Sequence, residues 1–466
     1  MTIGTEQAVF LSGSLFRHVT VMSLAGSIGL IAIFAVDFID MIFISMLGKA
    51  ELAAAVGYAG AILFFTTSFG IGMAIAAGAL VARALGAGER EKARAQATHS
   101  LIYGVVFGAA FAGLVWVNLP IFVALLGATG ETADLAIHYL QIIVPSLPFL
   151  MIGMMGGAIL RAHGDAKRAM AATLVGGAVN AVLDPILIFG LNLDLTGAAL
   201  ASVAARLAIA ATALLPILRH HGGFVRPAPR GLIRDLPPVL AIGAPAILTQ
   251  LATPVGQAYV TRSMAEFGEA AVAGMAIVAR MTPLAFGVIF ALSGAVGPII
   301  GQNYGARDLD RVRNTLRAAI QFTALFVLFM TALLFALRAP IAALFEAEGI
   351  TKDLIYIFCG PLALAFFFNG MLFVANAAFN NLGRAVYSTL TNWARHTLGT
   401  IPFVLLGAYF LGPIGVLIGQ AAGGLIFGIF AFWLAHRIVA GSKYEKPKVE
   451  PFQRQVRLLQ IFDHRR

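Results

Sequence analysis

Three carboxylates lie where an oily sequence has least use for them. Asp37 and Asp40 stand three apart in FAVDFIDMIF, and Asp184 interrupts NAVLDPILIFG. Residues three apart on a helix share a face. A carboxylate at the centre of a bilayer costs about 2.5–3.5 kcal/mol even on the lenient insertion scale, and such groups line ion paths, proton relays or wet cavities. Carboxyls withdrawn from water exchange protons near neutral pH, and two that adjoin titrate jointly. The chemistry on offer is loading and release of a proton, or of a cation held by oxygen ligands.

Asp184 is followed at once by Pro185, which has no N–H for the carbonyl four residues earlier and kinks a helix. Freed carbonyls inside a membrane are tolerated where protein or a water-filled cavity supplies partners. Asn180 stands one turn before Asp184, so carboxylate, amide and carbonyl are expected to point into one polar pocket. Other chemistry-bearing residues lie within apolar runs. Tyr139, Met151, Met154 and Met155 are candidates for an adaptable ligand wall; Gln250, Gln257, Asn369 and Asn376 are placed to contact substrate too, although helix–helix hydrogen bonding is the commoner job of such residues. Arg262 and Arg280 fall near run ends and are expected to snorkel; Arg206 is placed to neutralise an acid. GIGMAIAAG (70–78) mimics a dinucleotide loop but has no preceding strand, and His220-His221 has no metal-ligand company.

The elements that must carry these residues follow from composition. Of 466 residues, 59% are hydrophobic and 12% charged, with mean hydropathy +0.88; soluble domains carry about 25% charged residues. A spanning helix needs roughly 20 apolar residues. Twelve such runs are read, near 15–45, 53–83, 95–120, 132–160, 169–190, 196–218, 237–264, 270–301, 313–337, 353–380, 387–411 and 414–436. The fold class is an all-α integral membrane protein. The net charge of +10 excludes little by itself, but its distribution is telling. Alternate loops on one side hold most Lys and Arg. The others hold only Lys49, Arg338 and Lys352 beside acids such as Glu51, Glu131, Asp134, Glu346 and Glu348. By the positive-inside rule both termini are cytoplasmic and the chain is multi-pass in the inner membrane. The basicity is topogenic, with contact to anionic lipid and no nucleic acid implied. The single cysteine, Cys359, permits no intrachain disulfide, and the first run is too long for a signal peptide.

The chain repeats itself. LVARALGAGEREKAR (80–94) matches IIGQNYGARDLDRVR (299–313), MLGKAELAAAVGYA (46–59) matches EFGEAAVAGMAIVA (266–279), and LRAHGDAKRA (160–169) matches FNNLGRAVYS (379–388). Pro185 falls on Pro402, and all pairs lie 217–220 residues apart. Two pseudo-symmetric six-helix bundles are expected: residues 1–220, a cytoplasmic linker 221–236, residues 237–440, and a basic cytoplasmic tail 441–466. Six spans per unit put both units the same way up, as in transporters with parallel repeats. Asp40 aligns with Val260, Asp37 with Gln257 and Asp184 with Ile401, so the intramembrane acids all belong to the first unit.

FIDMIFISMLGKAELAAAVG (38–57), LVARALGAGEREKA (80–93), LRAHGDAKRA, NAVLDPILIFG with LTGAALASVAAR (180–206) and GQNYGARD (301–308) together resemble the multidrug and toxic compound extrusion (MATE) family. The resemblance covers residues 15–437. It implies a monomeric secondary antiporter that expels cationic amphipathic compounds against inward H+, preferred here over Na+, without a cofactor or enzymatic step. It also implies that Asp40, Asp184, Asn180, the Ala198 carbonyl and the Ser202 hydroxyl form the ion site, and the metal site if Na+ is the ion. Asp37 is a further candidate at its edge. Thr253, where one branch has a glutamate, and VANAAFNN (374–381) make the chain look like the DinF-type branch. LAGSIG (24–29) replaces a first-helix proline found in many relatives, while Pro245 stands at its second-lobe equivalent. Asparagines usual in the fourth helix are replaced around GMMGGAIL (153–160). Rival expectations are a lipid or lipid-linked-sugar flippase, which would want a basic cleft, an intramembrane aspartyl hydrolase using two of the acids, and a channel.

Overall fold

In the computed structural model, residues 8–47 and 49–442 are described, without the side chains of Asp37, Phe38, Ser45 and Ala50. The expected tail therefore lies outside the described residues from 443 onward, as does the Asp37 carboxyl. Every regular element described is helical. The first bundle comprises α1 (Leu15–Met46), α2 (Ala50–Gly86), α3 (Arg90–Val117), α4 (Gly130–Ala162), α5 (Ala166–Gly190) and α6 (Asp194–His220). The second has α7 (Pro229–Ala265), α8 (Glu269–Gly305), α9 (Leu309–Leu344), α10 (Gly349–Asn381), and a helical stretch Val386–Gly441.

That last stretch is two passes. Gly412 sits at φ +59° and ψ −140°, a conformation open to glycine alone. The backbone doubles back there: Gly407 abuts Gly415, the Phe403 carbonyl abuts Gly419, and the Gly399 carbonyl abuts Gly423. Only an antiparallel hairpin brings such pairs together. The arm before Gly412 is α11 and the arm after it α12, giving twelve passes. At about 1.5 Å per residue, each is long enough for a hydrocarbon core of about 30 Å. The largest departure from expectation is α7, which starts at Pro229 rather than near 237. Proline fits the first helical turn, where its missing N–H is not needed, and the extra turns are polar. They dock through Asp235, whose Oδ2 lies 2.7 Å from His99 Nδ1 of α3, and through Tyr103, which donates to the Leu232 carbonyl.

Prolines break helices at matching places. Pro145 sits in a 3-10 turn that divides α4, and Pro361 follows Gly360 in a wide turn that divides α10. Pro185 leads into a wide π turn at Ile186–Gly190. Single π turns cluster at functional sites.

The bundles meet along α1–α8 and α2–α7, with α2 crossing α8. On the face carrying the basic loops, the seam has a two-fold pattern. Arg83 of α2 donates through Nε to the Asn381 carbonyl and through Nη2 to the Asn380 carbonyl of α10, both at 2.7 Å. Its repeat partner, Gln302 of α8, donates through Nε2 to the Ala162 carbonyl of α4, also at 2.7 Å. Between them a Cβ at Gly86 would overlap the Gln302 carbonyl, and one at Gly305 the Arg83 carbonyl. Each lobe thus satisfies the open C-terminal carbonyls of a helix in the other, which a helix end needs. The segment before α1 adds a strap: Phe10 N–H donates to Gln302 Oε1 at 2.9 Å, and Arg311 Nη2 to the Phe10 carbonyl at 2.8 Å. The lobes are locked together on this basic face.

Candidate functional site in the first lobe

Asp40 of α1 and Asp184 of α5 come together around Asn180. The Asn180 amide donates to Asp40 Oδ1 at 3.1 Å and to Asp184 Oδ2 at 2.9 Å. The two carboxyls are also within hydrogen-bonding reach of each other, an arrangement that holds one proton between two oxygens. Asp184 is 0% exposed, and its Oδ1 is buried with no partner. A buried acceptor left open in this way is costly, and a proton or a cation would satisfy it. The elements explain the placement. Pro185 removes the N–H that would have closed on the Ala181 carbonyl, and the following π turn redirects the chain directly below Asp184.

Tyr139 joins this cluster. It is 7% exposed and lies beside Ser202 of α6. Sequence reading placed Tyr139 in a ligand wall; no local pattern reveals its position beside Ser202. Ala198 lies one turn before Ser202 on α6 and is buried, but no hydrogen bond joins it to the acids among the described residues. Arg206 does not neutralise an acid. Its Nη1 donates to the Ile143 carbonyl at 3.1 Å and Ser146 Oγ at 2.9 Å, satisfying the backbone where α4 breaks.

The expected ligand wall is only partly assembled. Met151 and Met155 are 0% exposed and fill notches at Gly70, Gly104 and Gly108 of α2 and α3, so they pack the lobe rather than line an opening. Gln257 of α7 accepts from Gln420 of α12 at 2.8 Å. Asn369 of α10 is close to Gly424 of α12, while Gln250 is half-buried with no side-chain hydrogen bond among the described residues. Asn376 accepts from Asn392 at 3.0 Å, so it and Gln257 both bridge helices. Arg262 and Arg280 are exposed, as snorkelling requires.

Two interior arginines were not singled out. Arg161, at the end of α4, reaches Gly294 of α8 across the seam, and Arg395 lies inside α11 beside His396. The signal was present: Arg395 is a charge well within an apolar run, the same anomaly that marked the acids.

The chain is similar to known proteins along most of its length. The family model described as MatE matches residues 27–186 and 245–406, once in each lobe. A protein of Shewanella oneidensis named FAD transporter is 27% identical over 436 residues, covering 92% of this chain and 96% of that protein. The multidrug export protein MepA of Staphylococcus aureus is 24% identical, with 88% and 92% covered. Among solved structures, the Vibrio cholerae MATE transporter VcmN in its bent form superposes with a TM-score of 0.85 at 26% identity, covering 91% of this chain and 97% of that one. With twelve passes in two repeated bundles and the family model matched in both, the chain belongs to the MATE family of multi-pass membrane transporters and is not an enzyme.

Proposed function

We propose that this protein is an ion-coupled antiporter that exports small organic molecules, cationic amphipaths among them, by alternating access. H+ enters through the Asp40–Asn180–Asp184 site. The observation that carries the reading is the open Oδ1 of Asp184 inside a cluster of two acids with no arginine or lysine bonded to either among the described residues. Substrate leaves when the cluster gains its proton; loss of that proton on the other side resets the cycle. The names of the relatives, an FAD transporter and a multidrug exporter, support a small-molecule cargo. Confinement of the acids to the first lobe supports the DinF-type branch and makes residues 1–220 the coupling lobe. The basic face is taken as cytoplasmic by the positive-inside rule, so the locked seam closes the protein toward the cytoplasm of the inner membrane.

The energetics suffice. A tenfold H+ gradient supplies about 1.4 kcal/mol and 100 mV about 2.3 kcal/mol per charge. A hundredfold substrate gradient needs roughly 3 kcal/mol. The test is efflux of ethidium from proteoliposomes under an imposed pH or Na+ gradient. A pH gradient is expected to drive efflux in the native protein and to fail in Asp40→Asn and Asp184→Asn. Undiminished efflux in either variant would remove that acid from the coupling site, and efflux driven by Na+ alone would replace H+ as the ion.

A further inference from the structure

The second lobe has the opposite polarity. Its acids, from Asp235 to Asp353, all lie at helix ends or in loops, so no carboxylate stands in mid-span. Arg395 does. It is the tenth residue of α11, about 14 Å along a span whose helix ends at His396 and resumes at Ile401, and no side chain or carbonyl accepts from its guanidinium among the described residues. Part of its surface stays open. Its Nε and Asn369 Oδ1 both face Gly424 of α12. Two further polar groups there are unspent: Asn369 Oδ1 and His396 Nε2 are buried without partners, and His396 is 6% exposed against Gly256 of α7. One turn along α12 from Gly424, the Gln420–Gln257 pair continues the polar lining.

An arginine withdrawn from water with no counter-charge is strongly unfavourable, and charges inside membrane proteins are kept where an ion or ligand passes. We propose that the second lobe holds an anion subsite, in which Arg395, with His396, receives an organic oxyanion such as a phosphate monoester. Arginine presents several N–H donors in a planar fork that fits such a group. An oxyanion supplies the missing counter-charge and accepts from the His396 ring. A cation or an apolar group does neither. Arg161, with no acceptor among the described residues, lies at the seam beside the lock and adds positive potential there. Acidic first lobe and basic second lobe then hold separate cargoes: the coupling ion in one, the anionic end of the substrate in the other. That the bound anion is cargo rests on the transporter reading; the binding itself does not.

The experiment uses purified protein in nanodiscs of zwitterionic lipid, with riboflavin and flavin mononucleotide as probes that differ by one phosphate. Binding is read by flavin fluorescence anisotropy. Flavin mononucleotide should bind at least about tenfold tighter than riboflavin, the scale of a charge-assisted hydrogen bond. Arg395→Gln should erase that difference, Arg395→Lys should keep part of it, and Arg280→Gln, at an exposed arginine, should leave it intact. A monodisperse gel-filtration profile and native-like helical circular dichroism of Arg395→Gln show that the variant is folded. Equal binding of the two flavins by the native protein, or flavin mononucleotide binding indifferent to Arg395→Gln, would overturn the subsite. Displacement of the probe by phosphatidylglycerol in the nanodisc would assign the arginine to a lipid headgroup and overturn the soluble-substrate reading. Phosphate-dependent binding in a protein that fails gradient-driven efflux would refute the antiport reading alone.

Discussion

Asp184, Asn180 and Asp40 show how a single costly residue exposes a site. The acid was conspicuous because the surrounding run is apolar, and the spacing of four residues put Asn180 on its face. Asp40 then joined through one shared amide. Arg206 illustrates the opposite case: a charge that serves backbone. Its replacement by leucine removes both donations at the α4 break and leaves the Ile143 carbonyl to the Ser146 hydroxyl alone, which donates to it at 2.6 Å; hydrogen bonds to a charged group are worth about 1.5–3 kcal/mol. Thermal unfolding of Arg206→Leu should show a lower midpoint, and native-like stability would contradict the bracing role. A third residue speaks to pH. His163, between α4 and α5 on the basic face, is pushed down to about 4 by burial, helped by the stacked His221 and opposed by Asp165. Its ordinary value is 6.5. The folded protein therefore binds fewer protons there than the unfolded chain, and stability falls as pH drops from 6.5 toward 4. The midpoint should decline across that window in the native protein and decline less in His163→Gln; identical profiles would exclude the histidine as the source.

At the scale of elements, the twelve runs, with the break between 411 and 414, were legible because lipid demands long apolar helices; the glycine backbone at Gly412 that makes the break a hairpin shows only in the structure. What was not legible is how helices break. α4 divides at Pro145, beyond Tyr139, and the backbone at that break is braced by Arg206 from another helix. The arginines were legible in principle, since Arg395 violates the same rule as the acids, but a basic residue is easily absorbed into a count of topogenic charge. Met151 and Met155 failed as a ligand wall because glycine notches in neighbouring helices, invisible to a single run, accept them. Pro185 permits a direct test. Pro185→Ala restores a backbone donor and favours regular α-helix, so stability should hold or rise while gradient-driven efflux falls. Unaltered efflux would show that the π turn is incidental to coupling.

Across the whole molecule, two lobes of opposite polarity close on each other at the basic face through a lock that repeats itself: Arg83 to α10, Gln302 to α4, with Gly86 and Gly305 between. A side chain at Gly86 cannot coexist with the Gln302 carbonyl. Gly86→Leu should therefore lengthen the distance between spin labels at Lys167 and Arg384 on that face, measured by double electron–electron resonance. An unchanged distance distribution would show that the crossing does not hold the lobes shut. The account as a whole rests on one exchange, in which occupation of the organic site and protonation of the acid cluster exclude each other. The direct measurement is proton release when ethidium is added to purified protein in weak buffer with a pH indicator. The native protein should release protons on binding, and Asp40→Asn and Asp184→Asn should bind the probe while releasing fewer. Equal release from the native protein and both variants, or none from any of them, would contradict it.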